Sequence, residues 1–412
     1  MPAAQGVPLP TSRGDLMASI DGWVADGFEG VRDAFVANFD NGSEVGAAFS
    51  AYHQGRKVVD LWGGVADPDT GKPWEEDTMM LVFSTTKGAT AMCANRLAQE
   101  GLLDTDAPVA TYWPEFAANG KAEMPVNYLL SHQAGLAWCD GEMTAEEALS
   151  WDPVIEALQN QAPVWEPGTK HGYHATTYGW LVGEVVRRVA GKTVGTYFRD
   201  EISGPLDADF WIGLPEAEDH RVGKLISFIP PGITADMLKG GGDPDNPMAQ
   251  MLAAFLGPDT PLGQALFAPG GALADQDVWN SRAMRAAEVP AANGVCDARS
   301  LARVYAACVG EVDGIRILTP EQLTRATTQL TTGPNHVLMD MDIQFGLGFM
   351  LPSSLIQLGG PHSFGHFGAG GSVGWADPDA ELAFGYIMNR MDMGLAGDLR
   401  SANLIGACYD AI

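Results

Sequence analysis

The chain is short of positive charge. Its 412 residues hold 24 lysines and arginines against 52 aspartates and glutamates, for a formal net charge of −28. Such a surface repels phosphate backbones and anionic bilayers, so neither nucleic acid nor membrane is an expected partner. Long apolar runs are missing as well: no stretch reaches the 18 residues that would suggest a membrane-spanning helix. Met1 to Asp15 has no charged-then-apolar secretory pattern, and a cytoplasmic protein is expected. Cysteines are few and odd in number (Cys93, Cys139, Cys296, Cys308 and Cys408), with no C-x-x-C pair. This argues against a disulfide framework and for buried free thiols in a reducing compartment. His171 and His174 lack the H-E-x-x-H frame and a supporting Cys or Asp cluster, so no metal or other cofactor is expected. Internal repeats and low-complexity tracts are also absent.

With 46% hydrophobic residues, the chain can bury a large core, and more than one domain is expected. Residues 20–40 place Val24, Phe28, Val31, Phe35 and Phe39 near helical spacing, which predicts a helix. Val45–Tyr52 and Lys57–Trp62 read as strands joined by the turn His53-Gln54-Gly55-Arg56. From about 104 to 285 helical patterns dominate, with a clear helix over 177–190. The stretch 226–249, rich in proline and glycine, reads as a loop or lid. After residue 296 come a helix (Ala298–Cys308), strand-like runs at Phe345–Met350, Ser372–Ala376 and Leu382–Asn389, and a closing helix at Leu399–Tyr409. Strands therefore lie at both chain ends. The expectation is an α/β (α+β) fold with a central antiparallel sheet built from residues 1–103 and 286–412. A mostly helical domain, 104–285, is inserted between them.

Three motifs carry chemistry. Ser84-Thr85-Thr86-Lys87 follows the apolar run Met79 to Phe83 and opens an amphipathic helix. A serine and a lysine three apart share one helix face, and the helix start favours a developing negative charge. That supplies a hydroxyl, a group to deprotonate it and an anion-stabilising field. Tyr173, in Pro167-Gly168-Thr169-Lys170-His171-Gly172-Tyr173-His174, precedes the 177–190 helix. A phenol acts as a base near neutral pH only if a nearby cation such as Lys87 lowers its pKa. Gly365-His366-Phe367-Gly368-Ala369-Gly370-Gly371-Ser372 offers glycines for close backbone approach and N–H groups for an oxyanion.

In order and spacing these three motifs resemble those of the serine β-lactamase and penicillin-binding-protein superfamily, nearest to class C β-lactamases and family VIII carboxylesterases. Val59-Asp60-Leu61-Trp62-Gly63-Gly64, Leu129-Leu130-Ser131-His132-Gln133-Ala134-Gly135-Leu136 and Asp377-Pro378 resemble further parts of that group. The resemblance covers roughly residues 20–410. It implies that Ser84 is acylated, that Lys87 holds and shares its proton, and that Tyr173 relays protons to the leaving group. It further implies an oxyanion hole from the N–H groups of Ser84 and Ala369, with His366, Phe367 and Gly368 beside it. His174 is expected to line the site next to Tyr173. Two positions depart from the β-lactamase pattern. His366 stands where a lysine binds the substrate carboxylate, and Ala175 stands where an asparagine is usual. Both departures suit a neutral ester better than a β-lactam. The implied activity is hydrolysis of short-chain carboxylic esters. The alternatives are β-lactam, D-alanyl-peptide or amide cleavage, acyl transfer, or ligand binding without turnover.

Gly370-Gly371-Ser372-Val373-Gly374 also fits the G-x-S-x-G nucleophile elbow. No histidine follows it in the chain, so that triad cannot be completed. Trp138, Tyr178, Trp211 and Phe367 are candidate pocket-wall residues, and His132 is expected in the core.

Overall fold

The computed structural model describes residues 19–228, 247–393 and 398–412. Twelve strands form two antiparallel sheets. They are β1 (Ile20–Val24), β2 (Gly46–His53), β3 (Arg56–Asp67), β4 (Lys72–Pro73), β5 (Met80–Leu81), β6 (Phe210–Trp211), β7 (Val295–Cys296), β8 (Gln344–Phe345), β9 (Met350–Leu351), β10 (Phe364–Phe367), β11 (Val373–Asp377) and β12 (Leu382–Met388). The large sheet has the order β1-β3-β2-β12-β11-β10-β9-β8, with β4 paired to β3. Its seam is the β2–β12 ladder, from Leu382 opposite His53 to Met388 opposite Ala47, where the two chain ends meet. The small sheet runs β5-β7-β6. The expected antiparallel sheet from both termini, flanked by helices, is what the structure contains.

Side-chain size alternates along the central strands and sets the layers. In β2 and β12, Phe49, Ala51, Phe384 and Tyr386 face one core. Val31 and Phe35 of the Glu29–Asp40 helix and Leu404, Ile405 and Cys408 of the Leu399–Tyr409 helix cover that face. The other face is made of small residues, Ala48, Ala383 and Gly385, and the Ala298–Val309 helix presses directly onto it. A Cβ at Gly385 would lie 2.6 Å from the Ala298 carbonyl oxygen, and one at Gly374 would lie 2.4 Å from the Tyr305 ring. The same second core takes in the Thr86–Gln99 and Thr177–Ala190 helices.

Two elements differ from their predicted form. The stretch expected as one helix over 20–40 is strand β1 followed by a helix that begins only at Glu29. Gly22, at φ +102, lies so close to the Asp60 carbonyl that only a residue without Cβ fits, and this draws the segment onto the sheet edge. The run Phe345–Met350 is broken into β8 and β9, because Gly348 at φ +89 turns the chain between them. The hairpin is present, and Gln54 and Gly55 both have positive φ in its two-residue turn. Most of the 226–249 loop lies outside the described residues.

A buried ionic knot ties the last helix to the rest. Arg400 donates to Asp398 Oδ2 at 2.6 Å, to Glu44 Oε2 at 3.2 Å and to the Gly370 carbonyl at 2.7 Å. Tyr386 donates to Glu44 from the sheet. The Gly370 contact makes the glycine-rich loop after β10 part of this knot.

Candidate active site

Ser84 sits in a single 3-10 turn, Phe83–Thr85, that runs into the Thr86–Gln99 helix. Phe83, just before it, has φ +44, a strained backbone for a bulky residue. Three contacts hold that turn. The Phe83 ring packs on Trp279 with centroids 4.8 Å apart, Thr86 Oγ1 donates to the Phe83 carbonyl at 2.5 Å, and the Gly294 N–H donates to Thr86 Oγ1 at 2.8 Å.

The S-x-x-K spacing brings Lys87 Nζ to 3.1 Å from Ser84 Oγ. Lys87 is fully buried, and its amine also reaches the carbonyls of Ala175 at 2.6 Å and Ala291 at 3.0 Å. No carboxylate pairs with it among the described residues, and burial pushes its pKa well below the usual 10.5. In its neutral form the amine has two N–H donors for the two carbonyls and one lone pair left for the serine hydroxyl. Ala175 thus corrects one expectation. Its side chain cannot replace an asparagine, but its main-chain carbonyl takes the hydrogen bond to the lysine.

The Tyr173 phenol is close enough to Ser84 for that hydroxyl to pull its pKa down. Its ring lies 4.8 Å from Lys87 Nζ and stacks on Phe345 at 6.1 Å. Its N–H donates to Asn335 Oδ1 at 3.0 Å, an oxygen that also accepts from the N–H groups of Val337 and Leu338. The 129–136 segment braces the same loop. The Gly172 N–H donates to the His132 carbonyl, and the Leu136 N–H donates to His174 Nε2 at 3.0 Å. The idea that Lys87 lowers the Tyr173 pKa is overturned. Burial raises the phenol's pKa above its ordinary 10, against the pull of the Ser84 hydrogen bond.

Strand β10 and the turn after it form the opposite wall. A Cβ at Gly368 would lie 2.1 Å from both the Val82 carbonyl oxygen and Ser372 Oγ, so only glycine allows this approach. The Gly368 N–H donates to the Ser372 carbonyl at 2.7 Å. The Ala369 N–H has no hydrogen-bond partner among the described residues, and Ala369 lines the cavity beside Ser84. It is therefore a free donor on this side among the described residues.

The structure does not place the other expected residues on the cavity wall. His174 is fully buried, with Nδ1 donating to the Gly172 carbonyl at 2.7 Å and Nε2 accepting from Leu136, so it holds a loop rather than lining the site. Burial drives its pKa down to about 4. Phe367 packs under Trp375. His366 is buried with its ring 6.0 Å from that of Tyr173, and Nδ1 donates to the Phe367 carbonyl. Its pKa lies well below 6.5, because burial and then Lys87 both oppose a charge, so His366 offers no cation to a substrate carboxylate. Ser372 donates to the Val82 carbonyl at 2.8 Å and lies 3.1 Å from Thr85 Oγ1, bracing the nucleophile turn.

Above Ser84 opens an apolar cavity of about 400 Å³. Phe83, Trp279, Leu262, Phe267 and Met391 line it, and no lysine, arginine, aspartate or glutamate does so among the described residues. Sequence reasoning missed this wall. Trp138 lines a neighbouring cavity instead, Tyr178 is core, and Trp211 packs under Arg199 at 4.2 Å. The Ala291 carbonyl was missed too, because a main-chain acceptor has no sequence signature. Pro290 and Ala291 are laid along the helix by Thr90, which donates to the Pro290 carbonyl at 2.6 Å.

Ser84, partly exposed, and the buried Lys87 and Tyr173 thus meet beside a helix-flanked antiparallel sheet. The chain belongs to the beta-lactamase family, whose model matches residues 31–407. It is 38% identical over 369 residues to the esterase/beta-lactamase LipL of Mycobacterium tuberculosis, covering 88% of this chain and 81% of LipL. It is similar to the crystal structure of a family VIII carboxylesterase, with TM-score 0.83 and 39% identity, covering 96% of this chain and all of the other. A penicillin-binding-protein homologue from Caulobacter crescentus has TM-score 0.83 and 37% identity, again over 96% of this chain and all of that one.

Proposed function

We propose that the protein is a serine carboxylesterase acting on neutral carboxylic esters through an acyl-enzyme on Ser84. The observation that carries this is Lys87, buried and with no carboxylate partner among the described residues, its amine 3.1 Å from Ser84 Oγ below a cavity whose described wall carries no charged side chain. Lys87 takes the serine proton as Ser84 Oγ attacks the ester carbonyl. The N–H groups of Ser84 and Ala369 receive the oxyanion. As the intermediate collapses, Tyr173 passes its phenolic proton to the departing alkoxide and regains one from the protonated Lys87. The alcohol leaves and the acyl group stays on Ser84. Water then attacks the acyl carbonyl and gives its proton to the Lys87–Tyr173 pair. Ser84 leaves reprotonated and the carboxylic acid is released.

The lack of a charged side chain on the cavity wall among the described residues favours esters over β-lactams, whose carboxylate needs a cationic partner. The names of the similar LipL and family VIII proteins support the same reading. The test compares p-nitrophenyl acetate and butyrate with the cephalosporin nitrocefin. Ester turnover with slow or absent nitrocefin turnover is expected, and the reverse order would overturn the proposal. A fluorophosphonate probe should give a single adduct on Ser84. No adduct would favour a ligand-binding protein without turnover.

A further inference from the structure

The rim of the cavity is as informative as its floor. Ten large apolar side chains are strongly exposed among the described residues, and four of them line this one mouth: Met251 (41%), Phe255 (49%), Met339 (52%) and Met393 (63%). Exposed apolar side chains scattered singly are ordinary, whereas several converging on one opening mark a contact face for a ligand. Three of the four are methionines, unbranched and pliable, which mould to a flexible chain better than to a rigid ring system. The polar side chains on the wall are few, and Gln276 is already engaged, accepting from Ser227 Oγ at 2.9 Å. Among the described residues only Ser84, Thr176 and Gln276 put polar side chains on the wall, too few to fix a rigid polar ligand in one pose. A volume of about 400 Å³ is also more than an acetyl or butyryl group fills and falls in the range of sites that enclose whole small ligands.

Ser84 and Ala369, which supply the nucleophile and the oxyanion donors, are on the cavity wall. Tyr173, which serves the leaving alcohol, is not. We infer, resting on the esterase reading, that the substrates are neutral esters of unbranched medium-length acids of the octanoyl class. The acyl carbonyl sits at Ser84, and the distal methylenes lie against Met251, Phe255, Met339 and Met393. This extends the short-chain expectation, because the cavity's volume exceeds what a butyryl group fills.

The inference is tested on p-nitrophenyl acetate, butyrate, octanoate and dodecanoate, with the wild type and a Met339→Gln/Met393→Gln double variant. In the wild type kcat/KM should rise about fourfold per added methylene up to octanoate and then level off. In the variant the octanoate-to-acetate ratio of kcat/KM should fall about tenfold. A ratio equal in the two proteins, or a wild-type profile that falls from acetate onward, would overturn the inference. Calorimetry on the Ser84→Ala protein gives a readout independent of turnover. Methyl octanoate should bind more tightly than octyl acetate, and the opposite order would assign the cavity to the alcohol and sink the proposal. If acetate is hydrolysed while octanoate is neither hydrolysed nor bound, the inference fails and the esterase reading stands. If no ester acylates Ser84, the esterase reading itself fails.

Discussion

At the scale of single residues, two serines in motif-like settings have opposite surroundings. Ser84 faces a buried amine and an open cavity, whereas Ser372 is buried and spends its hydroxyl on the Val82 carbonyl. Ser84→Ala should therefore abolish ester hydrolysis. Ser372→Ala should keep the activity and cost about 1 kcal/mol of stability for one buried hydrogen bond. Loss of turnover in the second variant at full folding, seen by circular dichroism, would contradict this assignment. The two perturbed groups also set a pH dependence. Lys87 acts as a base only when unprotonated, and burial depresses its pKa well below 10.5. Activity should then rise with pH through that depressed value and level off. Burial keeps Tyr173 protonated past its ordinary 10, so no alkaline loss from the phenol is expected near neutrality. The check is kcat/KM for p-nitrophenyl butyrate against pH. A profile that requires pH near 10.5 before it rises would mean that Lys87 is an ordinary charged lysine.

At the scale of elements, the Ala298–Val309 helix seats directly on the glycine and alanine face of the sheet. A methyl group at Gly385 would meet the main chain of Ala298 and Ala302, at 2.6 and 2.8 Å, and neither can rotate away. Gly385→Ala should destabilise the protein by about 1–3 kcal/mol through overpacking, measured by denaturant unfolding. An unchanged midpoint would show that the helix has room to rise. Sequence pattern found the elements whose side chains alternate or recur cleanly. The hairpin, the Thr177–Ala190 helix and the Leu399–Tyr409 helix fall where periodicity put them. It failed where one glycine overrides a pattern, as at Gly22 and Gly348. The same division holds at the site. Ser84, Lys87 and Tyr173 could be picked out because their side chains carry rare chemistry in fixed spacing. The Ala175 and Ala291 carbonyls could not, since every residue has one. The rim methionines were equally hidden, because they converge only in three dimensions.

At the scale of the whole molecule, charge is the dominant feature. With 52 acidic and 24 basic residues, self-repulsion opposes the compact state. Raising salt from roughly 10 mM to roughly 0.5 M shortens the Debye length from about 30 Å to a few Å and should raise Tm. A Tm that falls with salt would mean that the surface ion pairs outweigh the excess of like charge. The sheet order has a further consequence, for the timing of synthesis. The Thr86–Gln99 helix follows strands from the start of the chain, whereas Ala369 and the Arg400 knot come from its end, and within the large sheet the two halves join along β2 and β12. Ala369 follows Ser84 by nearly 300 residues. At about 5–20 residues per second, a growing chain carries its serine for roughly a quarter of a minute to a minute before the second oxyanion donor exists. On the proposed mechanism, nascent chains that stop short of Ala369 should be catalytically silent.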